Sequence, residues 1–115
     1  MGYAFEKLEV YHLAVTFREI VKKILATIPH AYEHDIDQLN RSSKSTVRNI
    51  CEGSAEFRPR EKARFYRMAL RSAQESGGSL RMLESDTKPN PLHAEAHRIN
   101  YILIAKLTVM CKNRS

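Results

Sequence analysis

Apolar residues recur along this chain at alternating spacings of three and four, and the recurrence lapses at three places. Val10, Ala14, Phe17, Val21, Ile24 and Ile28 form the first stripe, widened by Leu13 and Ile20. Such spacing lines one face of an α-helix and predicts a helix from about Glu6 to Ile28. Pro29 ends it, because proline lacks an amide proton and disfavours α geometry in the residue before it. The second stripe is Leu39, Ser43, Val47, Ile50, Ser54 and Phe57. Its helix is expected to start near Asp35, since Asp35 and Gln38 have the spacing of a capping box. Two serines within the stripe point to a partly polar seam or to close helix approach. Gly53, late in this helix, costs about 1 kcal/mol relative to Ala, so a packing reason is expected.

Arg58-Pro59 breaks the pattern again, and Pro59 suits the first turn of a third helix. That helix runs to about Asp86 with Tyr66, Ala69, Leu70, Ala73, Leu80 and Leu83 inward. Gly77-Gly78 in its middle predicts a kink or the near approach of another backbone. Thr87 to Pro91 reads as a turn, with Asn90 as N-cap and Pro91 at the first helical position. A fourth helix follows from Leu92 to about Lys112, with Leu92, Ala96, Ile99, Leu103, Leu107 and Met110 inward. Lys112 and Arg114 complement its C-terminal dipole. No alternating strand pattern appears. The expected fold is therefore all-α: an antiparallel up-down-up-down four-helix bundle, one domain over residues 1–115. Tyr101, Ile102, Ile104 and Leu25 fall off the inward stripes, which favours self-association.

Composition adds a charge argument. Nineteen Lys and Arg against thirteen Asp and Glu give a formal +6, a balance that favours polyanionic partners. No apolar run approaches the roughly 20 residues needed to span a bilayer, and Met1 to Glu9 has no apolar core of a signal peptide. A cytoplasmic protein without membrane contact is expected. Cys51 and Cys111 then read as reduced, core-like residues.

Most candidate chemistry is absent. No phosphate-cradling Gly loop, nucleophile elbow or Cys-x-x-Cys pair is present, so no enzyme activity, metal or cofactor is expected. His93/His97 and His30/His34 have ligand-like spacing but read as exposed side chains at the bundle ends. Glu52 and Glu56 read as solvated. The basic pattern is stronger. Arg60, Arg64, Arg67 and Arg71 recur at spacings of four, three and four, flanked by Arg58 and Lys62, with Glu61 the only acid between Arg58 and Arg71. Arg41, Lys44 and Arg48 make a second stripe on the preceding helix. Arginine's planar fork binds two phosphate oxygens at once, so these seven residues are the candidate nucleic-acid-binding set. The competing reading is a solvated face paired with acids of neighbouring helices or subunits. Phe65 and Tyr66 read as core.

The segment from Gln38-Leu39-Asn40-Arg41-Ser42-Ser43 through Asn49-Ile50-Cys51-Glu52-Gly53 resembles the signature of the 23S rRNA intervening-sequence protein family. Phe5-Glu6-Lys7-Leu8-Glu9-Val10-Tyr11 is similar to that family's opening, and Arg64-Phe65-Tyr66 through Gln74-Glu75 resembles its third helix. The resemblance implies a four-helix bundle assembled as a homopentamer. It extends to the accessory variability determinant of diversity-generating retroelements, which implies RNA or RNA–DNA binding and a reverse transcriptase as partner. Arg41, Asn49, Glu52 and Arg64 match the family's motifs; for Asn49 and Glu52 a structural network between helices is the alternative role. The chain departs from the pattern at Ser76-Gly77-Gly78-Ser79, which puts a straight third helix in question.

Overall fold

Prolines, caps and side-chain size decide where each helix starts, stops and packs. The computed structural model describes residues 2–113. A 3-10 turn at Ala4–Lys7 comes first, and extended backbone at Leu8 separates it from α1, Glu9–Leu25. The first helix therefore starts three residues later than the spacing suggests, and it also ends earlier. The Thr27 and Ile28 amides bond to the Ile24 and Leu25 carbonyls in a tightened turn ahead of Pro29. A second 3-10 turn, His30–Tyr32, leads into α2, Glu33–Ala55. Tyr32 holds the N-cap position without a side-chain bond, so Asp35 lies in the first turn and does not cap the helix. α3 is Pro59–Asp86 and α4 is Pro91–Lys112. Pro59 and Pro91 both open their helices, and Asn90 caps α4 by accepting from the Leu92 amide at 2.8 Å. Lys112 lies in the last turn of α4; Arg114 is outside the described residues.

Each helix packs on its neighbours in the chain, and α1 closes on α4. Contacts run in opposite directions across every junction. Asn100 meets Ala73 while His97 meets Glu84, so α3 and α4 are antiparallel. In one core layer Phe17, Val21 and Ile24 join Leu39, Leu80, Leu83, Ala96 and Ile99; in the other Val10 and Ala14 join Ile50, Ala69, Ala73, Leu103 and Leu107. The early part of α1 thus meets the late part of α4, and the expected all-α bundle of four helices is the fold. Val47, Leu70, Leu92, Met110 and Ile28 are half-buried flanks of these layers.

The α2–α3 junction is built differently. Ser42, Thr46, Asn49 and Gly53 of α2 and Ala69, Ser72 and Ser76 of α3 are all buried. Ser42 and Ser76 share a hydrogen bond of 2.7 Å, and Ser45 and Ser72 one of 2.9 Å. Asn49 donates to the Ser45 carbonyl and hydroxyl at 2.9 and 3.1 Å. Small side chains bring two helices close, and hydroxyls that bond across the gap leave little polar surface unsatisfied. Gly53 is required at the end of this seam. A Cβ there would stand 2.7 and 2.9 Å from Cε1 and Cδ1 of Tyr66, a buried ring with nowhere to retreat.

Two expectations are corrected. Phe57 does not face inward: α2 ends at Ala55, and the ring is 86% exposed beyond it. Gly77-Gly78 makes no kink, because α3 is helical throughout Pro59–Asp86. The alternative, near approach of another backbone, does not hold either: the atom nearest an added Cβ at Gly77 belongs to a side chain, Asn100 Nδ2 at 3.3 Å. That amide donates to the Ala73 carbonyl at 3.0 Å across the α3–α4 junction. Gly78 faces open space.

The two glycines predict opposite outcomes. Gly53→Ala should destabilise by about 1–3 kcal/mol through overpacking against Tyr66. Gly78→Ala should stabilise by up to about 1 kcal/mol through helix propensity. Urea denaturation of the two variants checks both signs.

Candidate nucleic-acid interface

At about 100° per residue, Arg60, Arg64, Arg67 and Arg71 fall within about 60° of arc on α3, and Arg41, Lys44 and Arg48 do so on α2. All seven are exposed. Arg64, Arg67 and Arg71 line one shallow depression of about 350 Å³ with Met68, and no residue of α2 contributes to it. Arg41 instead lines the groove between α2 and α3, together with Gln38, Ser42, Ser45, Ser72 and Glu75. The seven residues thus form two exposed stripes on adjacent antiparallel helices, and of the seven Arg41 alone lines the groove between these helices, opposite Glu75.

Two members are engaged. Arg64 donates to Glu61 at 3.0–3.3 Å and to Met68 Sδ at 3.3 Å, and its guanidinium lies 4.9 Å from the centre of the half-buried Phe65 ring. Arg41 sits 3.5 Å from Asp37. Hydrogen bonding to Arg64 holds the Glu61 carboxyl below its ordinary range. By contrast, Lys44, Arg48, Arg60, Arg67 and Arg71 have no ion pair or side-chain hydrogen bond among the described residues. Flanking Arg58 is clamped to Glu56, and Lys62 donates to the Gly53 carbonyl at 2.5 Å, holding the end of α2. Tyr66 is core, as expected.

Other candidate groups take structural places. His30 and His34 are exposed, but His93 and His97 are not: they are 3% and 5% exposed, which corrects the expectation of surface histidines. Both face the junction with α3, where the Asn90 amide donates to His93 Nδ1 at 3.1 Å and His97 Nε2 donates to the Glu84 carboxylate. Glu84 also accepts from Arg81, which bonds the Tyr101 hydroxyl at 2.6 Å. No group of three or more His, Cys, Asp or Glu among the described residues is arranged to hold a metal ion. Cys51 and Cys111 are not joined in a disulfide, and both are half-buried, not core. Burial, and then Glu52, push the Cys51 thiol above its ordinary pKa, so its thiolate is scarce. No helix among the described residues is long and apolar enough to cross a membrane.

With the seam and the stripes placed, the chain can be compared with known families. The family model described as 23S rRNA-intervening sequence protein matches residues 6–106. The chain belongs to that family. Comparison with curated proteins and with solved structures gives no match. Within this member of the 23S rRNA-intervening sequence protein family, the signature on α2 sorts into two sets. Leu39, Ser42, Ser43, Asn49, Ile50 and Gly53 are buried packing residues, whereas Arg41 and Glu52 are exposed. Asn49 is therefore part of a structural network, tied to Ser45 and through it to Ser72.

Sequence reasoning overlooked one feature beside the stripes, the outward Phe57. Its signal was present: Pro59 at the first position of α3 leaves only Glu56, Phe57 and Arg58 between the helices. Arg58 donates from Nε and Nη2 to the two Glu56 oxygens at 2.9 and 3.1 Å, and this pairing lowers the Glu56 pKa to about 2. Because the folded pKa lies below the unfolded one, the clamp contributes its full stability above about pH 4.5 and loses it as pH falls toward 2. A carboxyl-carbon NMR titration should place the Glu56 midpoint near 2, and Arg58→Ala should return it to the ordinary carboxylate range.

Proposed function

We propose that this protein is a non-catalytic, oligomeric accessory protein that binds RNA or RNA–DNA in the cytoplasm. Arg41, Lys44, Arg48, Arg60, Arg64, Arg67 and Arg71 contact its phosphates. One observation carries the reading: Arg60, Arg67 and Arg71 stand exposed on one face of α3 with no acid bonded to them among the described residues. Unpaired guanidinium groups gain most from phosphate, because no internal partner has to be displaced first.

Assembly has separate support. Tyr101, Ile102 and Val109 are exposed on α4. Beside them Leu8, Val10, Ala105, Val109 and Met110 line an open groove of about 420 Å³ between the start of α1 and the end of α4. Leu25 and Ile104 do not join this surface, since both pack against the core layers. The pentameric count and a reverse-transcriptase partner rest on the family resemblance alone. A scaffold without a nucleic-acid role is the second reading, favoured by the same apolar face of α4.

The test is a salt titration of binding to a structured RNA. The native protein should bind at low salt. Replacing Arg60, Arg67 and Arg71 together by Ala should reduce the log–log salt slope by about 2, since each neutralised phosphate contributes roughly 0.7–0.9 to it. No binding by the native protein at low salt, or an unchanged slope, would refute the proposal. The scaffold reading expects these substitutions to dissociate the oligomer instead. In sedimentation, Val109→Glu should shift the assembly toward monomer while leaving the helical circular dichroism intact.

A further inference from the structure

The linker between α2 and α3 is short and held from both sides. Arg58 donates to Glu56 from its side chain and also from its backbone amide, the latter at 3.0 Å. This closes a ring of bonds around Phe57. Backbone on either side is extended, with φ −80° and ψ 127° at Glu56 and φ −77° and ψ 118° at Arg58. Lys62 donates to the Gly53 and Ser54 carbonyls at 2.5 and 3.3 Å, fastening the end of α2 to the first turn of α3. Phe57 is thereby presented outward at 86% exposure, the highest of the exposed large hydrophobic residues. Leaving a ring in water forgoes the stabilisation that burial would give it, and here the local bonds enforce that exposure.

The ring's neighbours indicate what it meets. Arg60 follows within three residues, and the stripe continues through Arg64 and Arg67 to Arg71, spanning about 17 Å along α3. A duplex offers phosphates to such a stripe but keeps its bases stacked inside. A single strand offers phosphates and free base faces together, and aromatic rings beside basic grooves take those faces. We infer that Phe57 is a stacking platform for an unpaired base and that the ligand is single-stranded nucleic acid, or a structure with unpaired nucleotides, whose backbone follows the arginine stripe. The inference rests on the nucleic-acid reading above and deepens it. Pre-fixing the ring by the Glu56–Arg58 clamp lowers the ordering cost of stacking.

The chain contains no tryptophan, so Phe57→Trp supplies a single reporter at the site. Its emission is followed while an oligoadenylate of about 12 nucleotides, or a blunt RNA duplex of equal length, is added at low salt; this length lies within ordinary single-strand site sizes. The single strand should quench the tryptophan and the duplex should not. Phe57→Ala should weaken single-strand binding about ten-fold and duplex binding less than two-fold, with an unchanged melting temperature. Equal affinities of Phe57→Ala and the native protein for the single strand would overturn this inference and leave the arginine reading standing. If neither oligonucleotide binds the native protein, both readings fall. If Phe57→Ala instead reduces the size of the assembly without changing single-strand affinity, the ring is a contact between copies and the inference is wrong.

Discussion

Close approach of α2 and α3 is the constraint on which the rest of the molecule depends. It is achieved by removing side-chain bulk, with serines at 42, 45, 72 and 76 and a glycine at 53. Burial of hydroxyls would ordinarily cost free energy, but here each is spent on a bond across the junction or to a nearby carbonyl. The seam contributes little hydrophobic burial of its own. The α1 side supplies that, through Phe17, Val21 and Ile24 packing against Leu39, Leu80 and Leu83. A thin apolar stripe on α2 is thus sufficient, because the second helix is held by two kinds of interaction on two of its faces.

The seam also decides where charge appears. With the α3-facing side of α2 taken by small residues and another side by Leu39, Ser43 and Ile50, only the outward face remains for Arg41, Lys44 and Arg48. α3 is arranged likewise, and its arginines occupy the sector opposite Ala69, Ala73 and Leu80. The family signature therefore mixes two demands on one helix. Ser42, Asn49 and Gly53 keep the junction close, while Arg41 beside them points to solvent. Arg18 of α1 adds a third tie, donating to the Asn40 carbonyl and side chain and to Ser43 at 3.1–3.3 Å.

Much of this was legible from spacing alone. Val10, Ala14, Phe17, Val21 and Ile24 are all buried, because a strong apolar repeat leaves one way to fold the helix. Asn90-Pro91 and Pro59 located two helix starts for reasons of backbone chemistry. Polar residues in the core were harder. His93 and His97 read as surface, yet both are buried on α4, where one ring nitrogen of each is bonded, to Asn90 and to Glu84, while His93 Nε2 is buried without a partner among the described residues. Phe57 erred in the opposite direction, since helical periodicity was extended two residues past the end of α2. The arginine stripes were legible as faces, but their pairing was not: which acid reaches which arginine depends on rotamers and on helix ends, as Glu56 with Arg58 illustrates.

The same linker bears on the order in which the chain assembles. Contacts between α2 and α3 begin beside the turn, where Lys62 reaches Gly53 across nine residues, and continue to Ser45–Ser72 and Ser42–Ser76 across 27 and 34. Such a hairpin closes progressively, each step adding little loop entropy to the one before. Closure of α1 on α4 is of another kind: it joins Glu9 to Lys106 and Val10 and Ala14 to Leu103 and Leu107, nearly the full span of the chain. During synthesis Phe17, Val21 and Ile24 thus precede Ala96 and Ile99, part of the layer that covers them, by some 70 to 80 residues. The small-residue hairpin has only short loops to close, whereas the oily face of α1 is covered on one side by the last helix made.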